Sequence, residues 1–175
     1  KLAPGQVMDL LNRYLERAVA VIEQHEGYIN KFIGDAIVVV FNGPIDQTDH
    51  AQRGARCALA LQDEIARMNA AGAFPEVGTL RVGIGIATGP LVAGNLGGKR
   101  TEYTVIGDTV NLAARLTSHA GPGEVWANEA NARAQDAATL RCEPLPPLKV
   151  KGKELTVSPF RLVALGASAP APVVS

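Results

Sequence analysis

Between Val7 and Ile22 the apolar residues Val7, Leu10, Leu11, Tyr14, Leu15, Ala18, Val19 and Ile22 recur in steps of three and four. That spacing lines one face of an α-helix, which Pro4 and Gly5 precede and Gly27 stops. At Tyr28 the pattern changes. The segment YINKFIGDAIVVVF, Tyr28 to Phe41, is two apolar runs broken at Gly34-Asp35, which predicts a β-hairpin with Asp35 exposed at its tip. Helical spacing returns from Asp46 to Asn69, with Ala51, Ala55, Ala58, Leu59, Leu61, Ile65 and Met68 following an Asp/Thr-rich start. Residues 79–89, TLRVGIGIATG, and 90–97, PLVAGNLG, then read as glycine-bearing strands joined at Gly89-Pro90. Glycine inside a strand marks close approach of another backbone or of a ligand. From Tyr103 a short strand ends at Gly107 and a helix starts at Asp108. Two more short strands are expected at Glu124 to Ala127 and Leu155 to Val163, with a helix from Asn128 between the first of them and Arg141.

Helix, hairpin, helix, hairpin is the order of an α+β fold, a mostly antiparallel sheet covered by helices. If one strand comes from upstream of Lys1, the core is a ferredoxin-like βαββαβ arrangement with extra C-terminal strands. The chain opens on Lys1 rather than on methionine, so it is expected to be a fragment lacking its first strand. Its 175 residues, 47% apolar and 19% charged, suffice for one core. The expected division is one domain over residues 1–165, followed by a flexible tail or linker over 166–175, GASAPAPVVS.

Charge and cysteine usage narrow the function classes. Seventeen basic and seventeen acidic side chains give no net charge, which argues against a nucleic-acid polymer as partner. A small phosphorylated ligand needs only a local cluster. Cys57 and Cys142 lack metal-ligand spacing and read as inert residues of a reducing compartment. No apolar run is long enough for a membrane span, so a soluble, cytoplasmic domain is expected, with any membrane or sensor segment outside these residues.

Two places carry candidate chemistry. The hairpin presents one cation, Lys31, and one carboxylate, Asp35, on a rigid support, which suits a metal and a nucleotide. On the helix after Gly107, Asn111 and Arg115 lie four residues apart and share one face, which suits an oxyanion. Two phosphate-loop look-alikes fail. AGNLGGKR, residues 93–100, has Ala93 where the first glycine belongs and Arg100 where Ser or Thr belongs. Gly83, Gly85 and Gly89 lie within strands at the wrong spacing for a dinucleotide fingerprint. His25, His50 and His119 fall near helix ends without metal-ligand partners.

Taken together, YINKFIGDAIVVVF and YTVIGDTVNLAARL resemble the catalytic domain of the class III nucleotidyl cyclases, the adenylyl and guanylyl cyclases, and the resemblance runs from about Leu2 to Val163. It implies two divalent cations per site, Mg²⁺ or Mn²⁺, held by two aspartates. Asp35 matches one of them. The other belongs to a Phe-x-Asp-Ile-x-x-Phe-Thr segment that should precede Lys1. Lys31 matches the position that donates toward adenine N1, and Thr104 the position that contacts the exocyclic amino group, a pair suited to ATP. Guanine presents a donor at N1 and an acceptor at O6, which a lysine cannot satisfy. Asn111 and Arg115 match the pair that orients the ribose and stabilises charge on the α-phosphate; Lys151, in VKGK, matches the lysine that binds the β- and γ-phosphates. The implied assembly is a homodimer whose sites draw the metal aspartates from one subunit and the remaining groups from the other. Singly, Asp35 is an ordinary turn residue and Lys31 an ordinary strand lysine. Their joint occurrence at the family's offsets carries the reading of an adenylyl cyclase producing 3′,5′-cyclic AMP and pyrophosphate. The alternatives are a guanylyl cyclase or a catalytically inactive dimerising, nucleotide-binding regulatory domain.

Overall fold

The computed structural model describes residues 2–96, 102–149 and 156–165. Helix α1 spans Pro4–Gln24, with proline in its first turn, where a backbone donor is not required. The chain then turns sharply into strand β1, Tyr28–Ile33. Gly27 permits this, since a Cβ there would stand 2.8 Å from Val39 and 2.9 Å from Ile22. β1 pairs antiparallel with β2, Ala36–Val40, across a two-residue turn in which Gly34 takes a φ of 61°. Glycine is the residue that enters this left-handed region without strain.

Helix α2 spans His50–Ala70 and so begins four residues later than the Asp46 start read from the sequence. Asn42 and Gln47 close the intervening loop, each side-chain oxygen accepting from the other residue's amide, at 2.6 and 2.9 Å. Strand β3 is only Ile84–Ile86, three residues of the eleven expected over 79–89. Side-chain amides satisfy the backbone on either side of it: Asn69 exchanges two hydrogen bonds with Leu80, and Asn128 two with Thr88. These contacts supply what a neighbouring strand would otherwise give.

The hairpin β4, Val92–Leu96, and β5, Glu102–Ile106, leads into helix α3, Asp108–His119. After β6, Val125–Ala127, helix α4 covers only Glu129–Arg133. Strand β7, Leu140–Pro144, follows where the sequence suggested no strand. Strands β8, Leu148–Lys149, and β9, Thr156–Val157, form a short pair, and β10, Phe160–Ala164, completes the chain. The expected α+β class is the observed one, with its strands distributed over four sheets. The largest has the order β3-β6-β10-β7, in which only β3 and β6 run parallel; β1–β2, β4–β5 and β8–β9 are antiparallel pairs.

Two apolar clusters hold the layers together. Ala55, Ala58, Val125, Ala127, Leu140 and Leu162 join α2 to the four-stranded sheet. Leu10, Tyr14, Ala18, Ile65 and Phe74 join α1 to α2, with Ile37 of the hairpin packed against them. Buried Glu64 accepts from Arg17 and Arg67, each at 2.7 Å, so its charge is paired. Cys57 is buried and its thiol is pushed up to about 12 by that burial; it and Cys142 are free thiols. Among the described residues no helix is long and apolar enough to cross a membrane. The expected tail, 166–175, lies outside the described residues.

Candidate functional site

Lys31 is half-buried in β1, next to an irregularity of the ladder. Pairing runs Ile29 with Val39 but Lys31 with Val38, so Asn30 is an extra residue in a β-bulge. Paired residues of an antiparallel ladder share a face, and neighbouring residues of one strand alternate. Val38 and Val39 therefore lie on opposite faces, and Ile29 and Lys31 do too, although they are two residues apart. The face of Ile29, Val39 and Ile37 is the one packed toward α1, as Ile37's place in the α1 cluster and the crowding of Val39 against Gly27 and Ile22 indicate. Lys31 thus lies on the face away from α1, together with Val38, Val40 and Tyr28.

That second face meets β5. Asn30 Nδ2 donates to the Tyr103 carbonyl at 2.7 Å, and the rings of Tyr28 and Tyr103 pack edge to face with centroids 5.4 Å apart. Thr104, half-buried, is the next residue of β5. The strands carrying Lys31 and Thr104 are consequently held side by side, although 73 residues separate the bonded pair.

Asp35 is exposed at the tip of the β1–β2 turn, with Tyr14 of α1 within range of its charge. Burial, and secondarily the Asp35 carboxylate, hold the Tyr14 phenol above its usual range. Among the described residues no group of three or more histidine, cysteine, aspartate or glutamate side chains gathers around a common point.

Asn111 and Arg115 are both exposed on α3, and the helix is anchored where it begins. Gly107 caps it with a φ of 152°, and Thr109 Oγ1 donates to the Pro90 carbonyl at 2.7 Å. Arg115 lines a cleft of about 210 Å³ with His119 and Lys149, against Leu112, Leu116 and the β8–β9 residues Leu148 and Val157. His119, in the last turn of α3, stacks on Trp126 with centroids 6.4 Å apart. Lys151 lies outside the described residues. The structure therefore sets the strand of Lys31 beside the strand of Thr104, and Arg115 beside the β8–β9 pair. α3 packs on β3, β5 and β6, whereas the β1–β2 hairpin packs on α1 and β5.

The candidate residues are thus a lysine and a hydroxyl on adjoining strands, a turn carboxylate, and an amide and a guanidinium along one helix. Residues 1–162 match the family model for the adenylate and guanylate cyclase catalytic domain. The chain belongs to that family. It is 32% identical over 167 residues to adenylate cyclase 1 of Rhizobium meliloti (strain 1021), a match covering 93% of this chain and 25% of that protein. It thus spans about a quarter of the length of that curated relative. Among solved structures, the adenylyl cyclase CyaB from P. aeruginosa superposes with a TM-score of 0.83 at 28% identity, covering 93% of this chain and 85% of that one. The guanylate cyclase domain of RhGC from Catenaria anguillulae, solved in complex with GTP, gives a TM-score of 0.83 at 26% identity, over 94% of this chain and 87% of that one. The ferredoxin-like cyclase fold is thereby the fold of this domain. Asn30 and Lys149 were not among the residues singled out from the sequence. A polar side chain just before Lys31 in an otherwise apolar strand was the available signal for the first; the second had none, because the β8–β9 pairing was not legible.

Proposed function

We propose that this cyclase domain is of the adenylyl type, converting ATP to 3′,5′-cyclic AMP and pyrophosphate at a homodimer interface with Mg²⁺ or Mn²⁺, two per site. The observation that carries the choice of base is the Asn30–Tyr103 hydrogen bond, which sets Lys31 beside the strand of Thr104. A lysine ammonium donates to the unprotonated N1 of adenine, and a threonine hydroxyl accepts from its 6-amino group. Guanine presents a donor at N1, which the ammonium cannot accept, whereas the threonine hydroxyl can also donate to its O6, so the discrimination falls mainly on Lys31.

The rest of the reading follows from chemistry. Ribose O3′ attacks the α-phosphorus, the bond from that phosphorus to the bridging oxygen breaks, pyrophosphate leaves, and the 3′-hydroxyl proton passes to solvent. Asn111 orients the ribose, and Arg115 balances the negative charge that grows on the α-phosphoryl oxygens, an effect of roughly 3 kcal/mol in comparable preorganised sites. Lys151 holds the β- and γ-phosphates. Asp35 fits a hard divalent cation: it is an exposed oxygen donor at a tight turn, and Mg²⁺ takes few protein ligands beside water and phosphate. A divalent cation held by Asp35 would acidify the ribose 3′-hydroxyl and help neutralise the triphosphate. The segment that would supply a second aspartate, Phe-x-Asp-Ile-x-x-Phe-Thr, does not occur within residues 1–175.

A twofold assembly is supported by the outer surface of β4–β5, where the cross-strand partners Val92 and Ile106 are 73% and 56% exposed. The deciding assay measures cyclic nucleotide formed by the full-length protein from ATP and from GTP with Mn²⁺. Cyclic AMP in excess is the expected result. Predominant cyclic GMP would assign the guanylyl type, and no product from either would assign an inactive regulatory domain.

A further inference from the structure

The β-bulge in β1 inserts one residue, Asn30, between Ile29 and Lys31 in the ladder with β2. From the turn to Lys31 the pairing is regular, Ile33 with Ala36, Phe32 with Ile37 and Lys31 with Val38, so Lys31 lies on the Val38 face; the extra residue brings Tyr28, beyond it, onto that same face, where its ring packs on Tyr103 of β5. The extra residue is itself bound across that face, Asn30 Nδ2 donating to the Tyr103 carbonyl at 2.7 Å. The other end of the amide gains nothing: Asn30 Oδ1 is buried without a partner among the described residues. Desolvating an acceptor in this way is unfavourable, and an apolar side chain of the same size would avoid it. The donor, not general packing, is what asparagine adds here. Bulges recur beside functional sites because they re-aim a side chain.

We infer that Asn30 is a positioning residue for base recognition, fixing Lys31 against Thr104 through its hydrogen bond to the Tyr103 carbonyl. It does not touch the nucleotide; it sets the separation of the two side chains that do. This rests on the reading of Lys31 and Thr104 as the base contacts.

The test compares Asn30→Asp, which is isosteric but presents only acceptors to a carbonyl, with Asn30→Leu, which needs no partner at either end. The full-length protein is titrated with 3′-deoxy-ATP and 3′-deoxy-GTP, neither of which can cyclise, and the ratio of the two affinities is read. Each variant is expected to lower the adenine preference by about three- to tenfold, the equivalent of one hydrogen bond. If Asn30→Asp does not fold, Asn30→Leu carries the same expectation. Equal weakening of both ligands, with the ratio unchanged, would mean that Asn30 serves only the stability of the hairpin and would overturn the inference. Lys31→Glu is measured in parallel. If it shifts the ratio while neither Asn30 variant does, the positioning role fails and the base reading stands; if Lys31→Glu leaves the ratio unchanged, the base reading itself fails.

Discussion

A Cβ placed on Gly85 of β3 would stand 2.3 Å from the backbone nitrogen of Thr117 on α3 and 2.5 Å from the Ala113 carbonyl oxygen. Both are backbone atoms of a helix and cannot step aside as a flexible side chain can. Glycine at this position lets α3 lie directly on the strand, and α3 carries Asn111 and Arg115. Gly85→Ala is therefore expected to cost ~1–3 kcal/mol, as overpacking does, and to reduce cyclic AMP formation by displacing Arg115. Thermal unfolding and turnover measured on the same preparation check this. A variant with wild-type stability and turnover would show that the helix can shift freely.

Lys31→Glu combined with Thr104→Cys inverts the donor and acceptor pattern while the metal and phosphate contacts stay in place. The ratio of kcat/KM for ATP over that for GTP is expected to fall by at least tenfold. Retention of the parental ratio would remove both residues from base recognition.

Asp35→Ala removes an exposed turn carboxylate, so folding should be retained while activity is lost. Arg115→Ala should lower kcat more than it raises KM, as expected for a group acting mainly in the transition state. If these groups meet across a subunit interface, a mixed dimer has one doubly damaged site and one intact site. Co-expression of the two inactive variants is then expected to restore up to about half of the activity per mixed dimer. Absence of recovery despite demonstrated subunit exchange would place both groups in the same-chain site.

Tyr14 offers a probe of the hairpin tip that is independent of catalysis. Burial and the Asp35 charge both disfavour its phenolate. Asp35→Asn should bring the Tyr14 titration down part of the way, and burial should hold the remainder. Because the folded-state pKa is raised, this group's contribution to stability is complete below the ordinary tyrosine range and is lost as pH rises through the folded value. Ultraviolet difference titration, with Tyr14→Phe to assign the signal among the three tyrosines, measures it. An unchanged midpoint in Asp35→Asn would mean that the turn does not approach α1 in solution.

What could be read from the sequence was what local pattern encodes. The periodicity of α1, the turn at Gly34-Asp35, the start of α3 after Gly107, and the meaning of glycines in β3 are properties of a few adjacent residues, and each has its counterpart in the structure. β3 was overestimated because its flanks satisfy their backbone with the side chains of Asn69 and Asn128, residues 11 and 40 positions away. β7 was missed because its burial alternates weakly and its partner, β10, comes 18 residues later by the Arg161–Glu143 register. The candidate residues Lys31, Thr104, Asn111 and Arg115 were named from motif offsets, but their directions were not legible. That Tyr28 shares a face with Lys31 depends on a bulge, which is a property of two strands compared and not of either alone.

The bulge also bears on transplantation. A protein engineer who copies Lys31 through Asp35 onto another hairpin keeps the ammonium on its side of the ribbon, because the pairing from the turn to Lys31 is regular, but leaves behind the extra residue whose amide fastens that side to the neighbouring strand. The portable unit is six residues long rather than five, beginning at Asn30.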